Sequence, residues 1–203
     1  MPKQLRNYPI YLAPQIVGRI KSNGENEVFD EKTGEILDPT NIDDKIKIYE
    51  RQVKGWFLNR ASRLLRGKDN GFIILMIALS YIEGIEEYRT GESSNRRSNE
   101  FFIRGVQRIF SIEGNLNQLD DFYSQVRCGL FHSGMTRNKV ILTDDDSSQI
   151  IEFTENETIK INYRKFLHKI RIDFNRYLKI LKNPENITER NNFNRMFSNL
   201  VNM

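Results

Sequence analysis

Apolar residues recur at three- and four-residue steps through most of this chain, a rhythm that predicts amphipathic helices. Ile46, Tyr49, Val53, Trp56, Phe57, Ala61 and Leu64 trace the first, from about Asp43 to Arg66. Pro39 closes the preceding segment, and Thr40 or Asn41 can cap the helix. A second helix, about Phe72 to Arg89, is apolar on most faces through its first half, which predicts a central position. A third runs from about Ser98 to Phe110 and a fourth from about Asn117 to His132. Phe166, Ile170, Phe174, Tyr177 and Leu181 form one stripe on a fifth, about Tyr163 to Leu181. Pro184 stops it, and Ile187 to Val201 can form a short terminal helix.

Two stretches break this rhythm. In residues 1–40, Ile16 to Ile20, Glu27 to Phe29 and Glu35 to Leu37 read as short strands. Asn23-Gly24 and Thr33-Gly34 read as the turns between them. In residues 139–162, Val140 to Leu142, Ile150 to Phe153 and Thr158 to Ile161 are β-like, with acidic turns between them. The expectation is a mainly α protein with two parts. Residues 1–40 form a β-rich appendage, and residues 41–203 form a helical domain with a β-hairpin-like insertion at about 139–162.

Composition narrows the function classes. Hydrophobic residues at 38% and aromatics at 11% supply a real core and argue against wholesale disorder. Lys+Arg 31 against Asp+Glu 27 gives a formal charge of +4, which permits an anionic ligand without demanding one. A single cysteine excludes an intramolecular disulfide and fits a reducing compartment. The first eleven residues carry Lys3 and Arg6 but no apolar core of a secretory signal. The longest apolar run, Phe72 to Leu79, is far too short to span a bilayer. A soluble, cytoplasmic protein without membrane partners is expected.

The most informative stretch is Val126-Arg127-Cys128-Gly129-Leu130-Phe131-His132-Ser133-Gly134. Leu119, Phe122, Val126, Leu130 and Phe131 share one helical stripe, and Gly134 is placed to cap the helix C-terminus. Arginine keeps its charge and presents a fork of donors that fits phosphate oxygens. Histidine is the side chain suited to proton transfer near neutral pH. Five residues along an α-helix turn side chains about 140° apart, so Arg127 must reach round to meet His132 on the last turn.

This spacing resembles the Arg-x4-6-His motif of HEPN domains, many of which are metal-independent ribonucleases. The resemblance covers roughly residues 43 to 182 and has no counterpart for the first 40. It implies a compact helical bundle, usually dimeric, that cleaves RNA without a cofactor in prokaryotic defence or a toxin–antitoxin pair. An antitoxin or other protein would then be a further partner. Arg127 and His132 would be the catalytic pair. Glu83, on the second helix, is the best placed acid to orient one of them, as an acid on a neighbouring helix does in some family members. Cys128 departs from the family, which often carries a polar residue after the arginine.

Each assignment has a structural alternative. Arg127 can simply form a surface salt bridge, with His132 favoured near a helix C-terminus. Cys128 and His132, four apart, also resemble a nucleophile and base, although a lone helical cysteine is more often a small core residue. No metal site is expected, because two ligands fall short of the usual four. Glu86 and Glu87 read as a solvated helix end. Arg96, Arg97, Arg104 and Arg108 are candidates to line an RNA groove, against the default of a charged solvated face. His168 reads as an ordinary exposed histidine. The alternative to an enzyme is a non-catalytic module that holds a nucleotide or a protein partner.

Overall fold

The computed structural model describes residues 5–112 and 115–201. Lys3, at the N-terminus, and the last two residues lie outside them. Helices make up about 55% of the chain, in six continuous stretches accompanied by two small sheets among the described residues. Helices therefore predominate, but the fold is mixed. No helix is long and apolar enough to cross a membrane among the described residues.

The chain forms two compact units. One takes the residues up to Asn59, Tyr88–Ser93 and the stretch from Arg176 onward. In it β1 (Ile10–Ala13), β2 (Ile16–Ile20), β3 (Asn26–Asp30) and β4 (Glu35–Leu37) pair in sequence order as an antiparallel meander. Gly24 and Gly34 adopt φ of 84° and 75° at the turns, a region that glycine enters without steric cost. Leu12, Ile16, Val28 and Leu37 bury one face of this sheet. Helix α1 (Ile42–Gln52) follows, capped by Asn41, whose side chain accepts from the amides of Asp43 and Asp44. Gln52 Nε2 donates to the Leu12 carbonyl at 2.7 Å and Arg51 pairs with Asp30 at 2.8 Å, tying α1 to the sheet. Tyr49 then packs on Tyr88 and on Phe193 of α8 (Ile187–Val201), with ring centroids 4.5 and 5.3 Å apart.

Asp30 is fully buried. Burial alone pushes its carboxyl up, but the Lys32 amide and the Arg51 guanidinium outweigh burial and hold it below the usual range. A depressed folded pKa adds stability above the unfolded value of about 3.9, and that stability is lost as pH falls through the folded value. Asp30→Asn should therefore flatten the acid limb of stability below about pH 4. Thermal melts of both proteins between neutral and acid pH check this, and parallel curves would refute it.

The helix from α1 onward is not uniform. Val53–Leu58 is a π-helical segment leading into α2 (Asn59–Leu64). Its wider turn shifts the phase of the side chains, so Leu58 is buried while Phe57, expected in the stripe, faces solvent.

The second unit comprises Arg60–Glu87 and Ser94–Asn175. Its share of α3 (Gly71–Thr90) buries Ile74, Leu75, Ala78, Leu79, Ile82 and Ile85, as the all-round apolar pattern predicts. Around these lie α4 (Ser98–Phe110), the motif helix and the first part of α7 (Tyr163–Lys182). The motif helix consists of α5 (Leu116–Asp121), a π-helical segment (Phe122–Cys128) and α6 (Gly129–Ser133). Phe102, Phe122 and Phe166 are fully buried, and the first two stack at 5.8 Å.

The insertion is not a simple hairpin. β5 (Val140–Thr143), β6 (Ile151–Phe153) and β7 (Ile159–Asn162) take the order β5-β7-β6, with β5 parallel and β6 antiparallel to β7. Burial explains the order. Ile159 and Ile161 are both buried, so β7 belongs in the centre, whereas Ile141 leaves β5 half exposed at the edge.

Candidate functional site

The motif helix starts where Asn115 caps it, accepting from the Gln118 amide at 2.9 Å. Leu119, Phe122, Val126 and Leu130 bury the expected stripe. Phe131 does not belong to it: it is 43% exposed, because the π-helical turn re-phases the residues that follow. The same turn leaves the Gln125 carbonyl to accept the Arg137 backbone amide at 2.9 Å, which folds the following loop back onto the helix. Gly129 makes that possible. A Cβ there would lie 2.8 Å from the Met135 carbonyl oxygen and 3.0 Å from the Arg137 nitrogen. Gly134 ends the helix in the left-handed region at φ 71°, as a C-cap.

Arg127, on this helix, reaches Glu83 of α3: its Nη2 donates to Oε2 at 2.9 Å. The other oxygen of Glu83 accepts from Ser94 Oγ at 2.7 Å. Both ends of the pair are largely covered, with side-chain exposures of 22% for Arg127 and 18% for Glu83. The guanidinium also lies 5.4 Å from the Tyr123 ring centre and 5.3 Å from that of Phe131. It is thus fixed by one carboxylate and two aromatic rings, and this charge–π setting suits arginine's planar group. Burial pushes the Tyr123 phenol up; Arg127 works against that, and a hydrogen bond with Cys128 adds to it.

His132 stands on the last turn, exposed, and its imidazole makes no hydrogen bond within the chain among the described residues. Cys128 is half-buried and engaged with Tyr123. The structure therefore brings together Arg127 and Glu83, with Tyr123 against the guanidinium, and leaves His132 open at the same helix end.

The other candidates divide. Glu86 is not part of a solvated helix end: it is buried and bonds Arg108 Nε at 2.6 Å, with Arg104 Nε at 3.4 Å. Glu87 accepts the Ser94 amide at 2.7 Å and so anchors the loop that carries Ser94. Arg108 bridges from Glu86 to Asp173, which also accepts from the Tyr81 hydroxyl at 2.8 Å. Burial disfavours its charge, but Asp173 and Glu86 outweigh it and hold the guanidinium above its ordinary value. Arg104 lies 4.4 Å from the Phe101 ring centre, and Arg97 pairs with Glu100 at 2.7 Å. Three of the four proposed groove arginines are thus committed to carboxylates, and Arg96 is exposed in the left-handed region at φ 63°. His168 is exposed, as its polar neighbours suggest.

Sequence reasoning missed three members of these networks. Tyr123 stands four residues before Arg127, a spacing that places both on one helix face and could have flagged it. Ser94 and Asp173 come from a loop and a distant helix and carry no local signal.

Among the described residues no three His, Cys, Asp or Glu side chains gather as a metal-ligating cluster. A cleft of about 500 Å³ in the second unit is lined by Lys68, Phe72, Asp144, Tyr163 and Arg164, and one of about 470 Å³ lies on the N-terminal sheet. Neither of these two is lined by Arg127 or His132. No family model, curated protein or solved structure matches the chain.

Proposed function

We propose that this chain is a HEPN-like endoribonuclease that needs no metal, a cytoplasmic homodimer working in prokaryotic defence or a toxin–antitoxin pair. The observation that carries the proposal is the Ser94–Glu83–Arg127 chain of hydrogen bonds, which holds a guanidinium at the same helix end as an unengaged imidazole. In this reading an RNA 2′-hydroxyl attacks the adjacent phosphorus and the P–O5′ bond breaks, leaving a 2′,3′-cyclic phosphate and a free 5′-hydroxyl. His132 moves a proton from the nucleophile or to the leaving oxygen, and Arg127 offsets the charge that gathers on the phosphorane-like transition state. Requirement for the 2′-hydroxyl makes RNA, not DNA, the substrate.

One imidazole cannot readily serve both as base and as acid in a single displacement. A twofold dimer would supply a second one, with the two motif helices facing each other. Purified protein should therefore cleave labelled RNA in excess EDTA, leave cyclic phosphate ends, and fail on RNA that is 2′-deoxy at the scissile position. Light scattering should give the mass of two chains at micromolar concentration. Cleavage that stops with EDTA, or a monomer by light scattering, would count against the proposal.

A second reading has its own support. Glu83 already neutralises Arg127, as in a structural salt bridge, and this favours a non-catalytic module that holds a nucleotide or protein partner. Tight RNA binding without any cleavage would select it.

A further inference from the structure

The solvent face of the four-stranded sheet carries a pattern of its own. Tyr11 stands opposite Val17, Val17 opposite Phe29, and Phe29 opposite Ile36. Side chains directly opposite one another share a face, so these four form an apolar ribbon across all the strands. The ribbon points outward: Tyr11 is 55% and Ile36 78% exposed, while Leu12, Ile16, Val28 and Leu37 bury the opposite face. With strands about 4.8 Å apart it runs about 15 Å, the length of roughly five extended residues. Val17, Phe29 and Ile36 join Pro9, Gly34 and Glu31 around the cleft of about 470 Å³.

The charges around the ribbon indicate its occupant. Arg19 pairs with Glu27 at 2.6 Å, Lys21 with the same carboxylate at 3.3 Å, and Lys47 is engaged by Glu35. Aromatic platforms for single-stranded nucleic acid need a positively charged groove beside them, whereas here Arg19, Lys21 and Lys47 are each met by a carboxylate. Glu31, in contrast, lines the cleft with no ion pair among the described residues. The sheet edges are closed to strand addition. β1 is bulged between Tyr11 and Ala13 with Pro9 and Pro14 flanking it, and β4 has only 3 residues. A partner must lie across the face.

We propose that this face docks an extended segment of a partner protein, with apolar side chains on the Tyr11–Val17–Phe29–Ile36 ribbon and a lysine or arginine against Glu31. The inference is independent of the ribonuclease reading, and Phe29→Ala should cleave RNA at the wild-type rate if the chain is a nuclease.

The test is to pan a display library of random dodecapeptides on the full chain and measure the selected peptides, dye-labelled, by fluorescence polarisation. Selected peptides should combine apolar residues with a lysine or arginine. Phe29→Ala should weaken them about tenfold or more while the circular dichroism spectrum stays that of the folded chain, since the ring is 40% exposed. Glu31→Lys should weaken them too, and exchanging the peptide's basic residue for glutamate should restore binding to that variant. Selection that yields no peptide dependent on Phe29 overturns the proposal. So does a labelled oligouridylate whose binding is lost in Phe29→Ala, which would assign the face to nucleic acid. Halving of the mass by Ile36→Glu in light scattering would assign it to a second copy of the chain and overturn the proposal equally.

Discussion

Arg127→Ala or His132→Ala should each reduce RNA cleavage by about a thousandfold or more while leaving the circular dichroism spectrum unchanged. The magnitude follows from what each group is asked to do: positioned proton transfer contributes about 10²–10⁴-fold, and a fixed donor facing developing charge contributes a similar factor. Because the two would act in one displacement, the double variant should be little worse than either single one. Glu83→Gln tests the support separately. It keeps a hydrogen-bonding group near Arg127 but removes the charge that meets it at 2.9 Å, so cleavage should fall only in part. Cys128→Ser is the control for thiol chemistry and should remain active. Labelled RNA and gel analysis read all of these. Full activity in His132→Ala would remove the catalytic assignment, and a dead Cys128→Ser beside an active His132→Ala would transfer it to the thiol.

Arg108→Ala should be strongly destabilising, by about 2–3 kcal/mol, because it removes the cation shared by two largely buried carboxylates and leaves Glu86 to the longer contact with Arg104 and Asp173 to the neutral Tyr81 hydroxyl. Glu86 is 4% exposed on its side chain and Asp173 11%, and Arg108 is the cation that bonds both. Tyr81→Phe removes one neutral donor from Asp173 and should cost about 1 kcal/mol. Arg97→Ala breaks an exposed pair with Glu100 and should change stability by less than about 0.5 kcal/mol. Urea titration distinguishes these three. A stable Arg108→Ala would mean that the network is looser than its geometry implies, and would return Arg108 to the set of arginines open to an anionic ligand.

Periodicity alone located the helices, because an apolar residue every third or fourth position can bury a face only on a helix, whatever surrounds it. The turns at Gly24 and Gly34 and the caps at Asn41 and Gly134 were legible for a similar reason: each depends on a conformation or hydrogen bond made within a few residues. The chain could also be read for the motif that sets Arg127 and His132 on one helix end. What it did not disclose were the two π-helical segments, which moved Phe57 and Phe131 out of their stripes and buried Leu58. A π-turn exchanges local hydrogen bonds for tertiary contacts, such as the Arg137 amide on the Gln125 carbonyl, and those lie outside any short window. The β5-β7-β6 order has the same origin, since only burial of Ile159 and Ile161 decides which strand is central. The sharpest contrast is within one helix turn of α3. Glu83 and Glu86 look alike in sequence, yet one meets Arg127 and the other meets Arg108, 44 and 22 residues away. A carboxylate's role is set by the cation it faces in a partly buried site, where an unpaired charge is costly, and that partner is chosen by packing.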